Sequence, residues 1–312
     1  MPSAVSVILR EEIRLIKPIL NKFSIATARL FQDKLGEIGV KSVADKIEIA
    51  PVPMDGFEAC FVTPVEANEA DGRVILYLHG GGYVAGNLQY ASGFASILAA
   101  ETNLRVLSAA YRLAPENPFP AAVDDACAAY QHLLDQGFRP QDISLVGESA
   151  GGGLVFSLCL MLKQKGIPLP GAVVGISPWT DLTFSGGSYI TNEKKDPSLT
   201  EKTLRGYAEA YAKGQENNAL VSPVLGDLSG FPPSLIFVGS EELLLDDAVM
   251  LAEKLRNSGS SCELIIEEGL WHVYVLFKIP EANEALNKIV AFLGYEYERQ
   301  VSAKSTKVDA AG

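Results

Sequence analysis

The stretch Gly147-Glu148-Ser149-Ala150-Gly151 constrains this chain more than any other. It follows Asp142-Ile143-Ser144-Leu145-Val146, which reads as a short buried strand. It precedes Gly152-Gly153-Leu154-Val155-Phe156-Ser157-Leu158-Cys159-Leu160-Met161-Leu162, which reads as a helix. A strand, then Gly-x-Ser-x-Gly, then a helix is the pattern of a nucleophile elbow. A turn that sharp brings neighbouring backbones so close that only residues without a Cβ fit beside it. The serine is left at the tip, its hydroxyl exposed above the positive end of the following helix.

The flanking pattern agrees with such a turn. Arg73 to Leu78 is almost continuously apolar, as a strand covered on both faces is. Further strands are expected near Leu104 to Ser108, Ile143 to Val146, Ala172 to Ile176, Ser234 to Val238 and Cys262 to Ile266. Helices are expected near Ala91 to Ala100, Ala121 to Leu134, Gly151 to Lys165, Leu243 to Asn257 and Glu281 to Leu293. This alternation predicts an α/β fold with a mostly parallel sheet and helices on both faces. Lys46 to Ile49 and Phe57 to Val62 precede it and read as a hairpin across the turn Met54-Asp55-Gly56.

Two regions fall outside the rhythm. Leu9, Ile13, Ile16, Leu20, Phe23 and Leu30 recur at helical spacing, so residues from Ile8 to Leu35 form one or two amphipathic helices, kinked or divided at Pro18. Between about Asp181 and Pro223 the chain is polar and rich in Gly and Asn. Its one helix, Leu199 to Tyr211, has Thr200 as a candidate cap. An insertion there stands above the carboxyl ends of the strands, where open α/β sheets bind ligands. From Ser302 the chain reads as a frayed tail.

Composition excludes several classes. With 312 residues, 48% of them hydrophobic, the chain buries a sizeable core. A net charge of -12 speaks against nucleic-acid binding, which needs clustered Lys and Arg. Cys60, Cys127, Cys159 and Cys262 are widely spaced, which predicts reduced thiols rather than a zinc site or redox pair. No apolar run approaches the ~18 residues of a membrane span. The first residues lack the basic leader of a secretory signal. These features predict a cytoplasmic protein without stable membrane insertion.

A serine hydroxyl needs a base to take its proton, and that base must be oriented by a third group. The chain has three histidines. His79 opens a glycine run and His132 sits mid-helix. Only His272 lies downstream of Ser149, after the last strand, as the chain order Ser, acid, His requires. The acid is sought after the strand ending at Val238. Glu242 stands where strand gives way to helix, with Asp246 and Glu241 the next candidates. Asp246 and Asp247 lie a turn inside the helix, where a surface or capping role suits them better. The glycine run His79-Gly80-Gly81-Gly82 has neither the spacing nor the following Lys-Ser/Thr of a phosphate loop. Its free N–H groups suit an oxyanion instead, each such donor being worth on the order of 10²–10³ in rate. Gly81, Gly82 and Ala150 are the predicted donors.

Five stretches in order complete the picture: His79-Gly80-Gly81-Gly82, Tyr111-Arg112-Leu113-Ala114-Pro115-Glu116, Gly147-Glu148-Ser149-Ala150-Gly151-Gly152, Ser177-Pro178-Trp179-Thr180-Asp181-Leu182 and Gly269-Leu270-Trp271-His272. Over residues 70 to 280 the chain resembles the hormone-sensitive-lipase-like carboxylesterases of the α/β-hydrolase fold. That resemblance implies a serine carboxylesterase acting on short- to medium-chain esters, with triad Ser149, Glu242 and His272. A lactonase, deacetylase or amidase on the same triad is the alternative. It implies no metal and no cofactor, and often a homodimer through the sheet edge. It also implies a cap built from residues 1–45 and an insertion at about 183–222, over a catalytic domain of residues 46–300 with a tail at 301–312. Two positions depart from the family pattern: Glu148 and Glu242 stand where aspartate is usual. A receptor on this fold would lack the histidine, and a dehalogenase or epoxide hydrolase would carry aspartate at the elbow. His272 and Ser149 argue against both.

Overall fold

The computed structural model describes residues 1–67 and 72–309, with 300–309 as backbone alone. In chain order the strands are β1 Ile47–Val52, β2 Glu58–Pro64, β3 Val74–Leu78, β4 Arg105–Ala110, β5 Ile143–Glu148, β6 Ala172–Ile176, β7 Ser234–Gly239 and β8 Cys262–Glu267. They form one sheet in the order β1-β2-β4-β3-β5-β6-β7-β8. β1 and β2 make the expected hairpin, with Ile49 opposite Val62, and β2 is also antiparallel to β4. The pairs from β4 through β3, β5, β6 and β7 to β8 are parallel.

The helices are α1 Ala4–Leu20, α2 Ile25–Lys41, α3 Leu88–Thr102, α4 Ala121–Asp135, α5 Ala150–Lys165, α6 Ser188–Thr191, α7 Glu201–Ala212, α8 Leu245–Asn257 and α9 Pro280–Asp309. Side chains alternate across a strand, and here both faces are covered. Leu76 and Leu78 of β3 join a core with Leu133 of α4, Leu154 of α5 and Leu251 of α8. Ile75 and Tyr77 join the opposite core with Phe94 of α3 and Ile289 of α9. That is why the central strands read as unbroken apolar runs.

Pro18 lies inside the last turn of α1, and the division follows it at residues 21–24. Without an N–H, Pro18 can close a helix but not extend it far. Leu9 and Ile13 pack against the core, while Ile8, Leu15 and Ile19 are exposed. α2 docks closely on α3: a Cβ on Gly36 would stand 2.2 Å from the Gln89 carbonyl oxygen. Thr200 caps α7 as expected, accepting the Thr203 N–H at 3.2 Å. α9 extends well past Leu293. The backbone of the expected tail is helical as far as Asp309, and residues 310–312 lie outside the described residues. Among the described residues, no helix is long and apolar enough to cross a membrane.

Candidate active site

Parallel strands deliver their following loops to one edge of the sheet, and the site gathers there. Ser149 joins β5 to α5 with φ 55° and ψ -120°. That backbone is sparsely populated for a residue with a Cβ and costs roughly 1–3 kcal/mol. The turn survives because its neighbours are glycines. A Cβ on Gly147 would come within 2.2 Å of the Gly151 carbonyl oxygen, and one on Gly151 within 2.1 Å of that of Leu78. Ser149 is further pinned by its N–H on the Ile176 carbonyl (2.8 Å) and by the Trp179 N–H on its own carbonyl (2.9 Å).

The structure brings Ser149, His272 and Glu242 together. His272 Nε2 lies 2.9 Å from Ser149 Oγ, and its Nδ1 lies 2.7 Å from Glu242 Oε2. A carboxylate can only accept, so Nδ1 carries the proton and Nε2 is left to accept from the serine. All three side chains are buried or nearly so, with Glu242 at 0% exposure. Glu242 Oε1 takes the Gly239 N–H (2.6 Å) and the Ser177 hydroxyl (2.8 Å). Burial by itself lowers the His272 pKa. The hydrogen bond and charge of Glu242, helped by Asp196 and Glu148, outweigh it and raise the imidazole above its ordinary 6.5.

The other carboxylates go elsewhere. Glu241 turns toward α1, half-buried, and takes Arg10 Nη1 at 3.0 Å. Asp246 accepts the Ser188 N–H at 2.8 Å. Asp247 is not on the surface, contrary to the expectation for a helix start. It is fully buried and accepts the N–H groups of Thr180 (2.9 Å) and Asp181 (2.8 Å) and the Tyr189 hydroxyl (2.8 Å). Burial pushes its pKa well above the ordinary carboxylate range. His132 is partly exposed on α4. His79 is buried and stacked on Tyr111, with ring centroids 4.3 Å apart, and burial lowers it to about 4.

Gly81 and Gly82, both at positive φ, form the loop after β3. Among the described residues, the N–H groups of Gly81, Gly82 and Ala150 have no hydrogen-bond partner. Two helices lean on this loop. A Cβ on Gly82 would meet the Tyr207 ring of α7 at 2.4 Å, and one on Gly81 would meet Gln32 Oε1 of α2 at 2.9 Å. Beneath it, Glu148 Oε1 accepts the Gly80 N–H (2.6 Å) and the hydroxyls of Tyr77 (3.2 Å) and Tyr90 (3.1 Å). Burial raises Glu148 to about 7 against the opposing pull of those donors and of His272.

Ser177 carries a role that sequence reading missed. Its motif was visible, but its reach to Glu242, 65 residues away, was not. Asp196 is a second such residue: buried, it accepts the Leu243 N–H at 3.0 Å and so steadies the loop that carries Glu242. Among the described residues, no group of His, Cys, Asp and Glu is placed to hold a metal ion.

Known proteins share this arrangement of elements. Residues 75–276 match the family model described as the alpha/beta hydrolase fold. An acetyl-hydrolase of Streptomyces hygroscopicus is 41% identical over 237 residues, covering 75% of this chain and 79% of its own length. An esterase of Acinetobacter venetianus is 34% identical over 250 residues, 79% of this chain and 82% of its own. The solved structure of an esterase from the bacterial hormone-sensitive lipase family superposes with a TM-score of 0.87 at 34% identity, covering 95% of this chain and all of that one (100%). The chain belongs to the alpha/beta-hydrolase fold family, among its hormone-sensitive-lipase-like esterases. It is an enzyme, a hydrolase of carboxylesterase type.

Proposed function

We propose that this protein hydrolyses short- to medium-chain carboxylic esters through an acyl-enzyme on Ser149. The observation that carries the reading is the unbroken chain from Ser149 Oγ through His272 to Glu242, with contacts of 2.9 and 2.7 Å. Ser149 Oγ attacks the ester carbonyl carbon while its proton passes to His272 Nε2. The carbonyl oxygen becomes an oxyanion and takes hydrogen bonds from the N–H groups of Gly81, Gly82 and Ala150. His272 returns the proton to the departing alcohol. Water then attacks the acyl-serine carbonyl by the same route, releasing the acid and free Ser149. Glu242 holds the imidazole in the tautomer this requires and stabilises the imidazolium. No step calls for a metal or organic cofactor.

The likeness to an acetyl-hydrolase favours small acyl groups. A lactonase, deacetylase or amidase would use the same triad. α1, α2 and the insertion at about 183–222 form a cap over a catalytic domain of residues 46–300, a division supported by Gln32 and Tyr207 against the glycine loop. Four free cysteines suit the cytoplasm. The edge strand β8 offers unpaired backbone for a homodimer.

Hydrolysis of p-nitrophenyl esters from C2 to C12, beside lactone and amide substrates, tests the reading. Wild type should cleave the shorter esters best, and Ser149→Ala should lose that activity. Wild-type rates retained by Ser149→Ala would overturn it. Light scattering of the purified chain should give the mass of a dimer.

A further inference from the structure

Helix α1 carries Arg10, Arg14 and Lys17 at spacings of four and three, which places them along one face. All three reach the loops that carry the triad or the segment beside them. Lys17 Nζ donates to the carbonyls of Asp196 (2.6 Å) and Glu193 (3.2 Å). Arg14 Nη2 donates to the Lys195 carbonyl (2.9 Å). Arg10 Nη1 donates both to Glu241 Oε1 (3.0 Å) and to the Gly269 carbonyl (3.1 Å). Glu241 immediately precedes Glu242, and Gly269 stands three residues before His272. One guanidinium, only 17% exposed, thus joins the acid's loop to the base's loop.

The roots of those loops are tied already. The Gly269 N–H donates to Ser240 Oγ (2.8 Å), and the Glu241 N–H to the Leu270 carbonyl (3.0 Å). Arg10 adds a tie through the Glu241 side chain, and α1 is anchored well enough to make it stiff. At its start, Ser6 Oγ donates to Glu281 Oε2 (2.6 Å), next to the first residue of α9. At its end, Lys17 holds Asp196, whose carboxylate takes the Leu243 N–H.

We propose that Arg10 is a positioning residue for the reaction at Ser149. It clamps the Glu242 loop against the His272 loop, so that the N-terminal helix sets the geometry of the triad. This rests on the esterase reading above. Small misplacements of reacting groups carry large rate penalties. A clamp should therefore act on turnover and leave substrate affinity alone.

The test uses full-length protein and p-nitrophenyl butyrate. Arg10→Met keeps the apolar stem and removes the bonds to Glu241 and Gly269, together with the exposed one from Arg10 Nε to Glu11 Oε1 (3.2 Å). It should lower kcat about tenfold with KM within twofold of wild type. Arg10→Lys, which keeps a charged donor nitrogen but not the planar guanidinium that fixes it, should recover part of that loss. Glu241→Ala should lower kcat similarly and add little when combined with Arg10→Met. Melting temperatures recorded in parallel identify losses that merely follow unfolding. A kcat within twofold of wild type in folded Arg10→Met would overturn the proposal, as would a change confined to KM or fully multiplicative losses in the double variant. If Arg10→Met does not fold, Glu241→Ala decides alone: a kcat loss at unchanged melting temperature supports the clamp, and unchanged kcat overturns it. Wild type and Ser149→Ala run as controls. An inactive wild type would defeat the esterase reading, whereas an active wild type with indifferent Arg10 variants would defeat only the clamp.

Discussion

Ser177 Oγ lies 2.8 Å from Glu242 Oε1 and at the same time accepts the Val273 N–H at 2.9 Å. One hydroxyl after β6 therefore joins Glu242 to the backbone beside His272. Removing it leaves Glu242 with the Gly239 N–H and His272, and leaves the Val273 N–H without its partner. A hydrogen bond to a charged group is worth about 1.5–3 kcal/mol. Ser177→Ala should lower kcat/KM about tenfold or more and cost about 1–3 kcal/mol in urea unfolding. Steady-state kinetics beside a denaturation curve checks both, and unchanged kinetics would remove Ser177 from the site.

The acid is identified by contrast. Glu242→Ala leaves His272 without the group that sets its tautomer, and kcat/KM should fall by about 10³–10⁴. Asp246→Ala loses its bond to the Ser188 N–H, away from the imidazole. It should keep most of the activity at a cost of about 1 kcal/mol in stability. The opposite ranking would reassign the acid.

The pH profile follows from the sign of the His272 shift. Only neutral imidazole can take the Ser149 proton, so kcat/KM should rise with pH through the His272 pKa. Glu242 holds that pKa above 6.5 against burial. The acid limb should therefore have its midpoint above 6.5. In Glu242→Gln burial acts unopposed by that charge, and the midpoint of the residual activity should move down. A midpoint that stays in place would mean that Glu242 does not control the imidazole.

Glu148 should make stability depend on pH in an unusual direction for a carboxylate. Its pKa is about 7 in the fold against an ordinary 4.5, with burial the main cause. The folded protein thus holds this proton more tightly than the unfolded chain. The resulting stabilisation is complete below about 4.5 and is lost as pH rises through about 7. Glu148→Gln has no proton to release there. Between pH 4.5 and 8, wild type should lose about 3 kcal/mol of stability relative to that variant. Denaturant unfolding of both proteins at the two pH values measures the difference, and a gap that does not change with pH would contradict it.

The alternation of strands and helices was legible because buried strands such as β3 read as short unbroken apolar runs, whereas helices such as α1 repeat apolar residues every three to four positions. Ser149 was legible because its turn is local, and the glycines on either side are demanded by contacts such as that between Gly147 and Gly151. His272 followed from chain order. Asp247 was misjudged because an acidic residue in the first turn of a helix has the same local signature whether it faces water or, as here, the backbone of Thr180 and Asp181.

The same limit applies to the choice among Glu241, Glu242, Asp246 and Asp247. Their order along the chain narrows the proposed acid to a short window, and sequence by itself determined that window and singled out Ser149 and His272 as candidates. Tertiary structure decided which carboxylate meets the imidazole, which one Arg10 takes, and which one ties down the loop after β6. Those assignments depend on partners brought together from distant segments. Burial and hydrogen bonding at such meetings are properties of three-dimensional packing, and no local pattern of residue types encodes them.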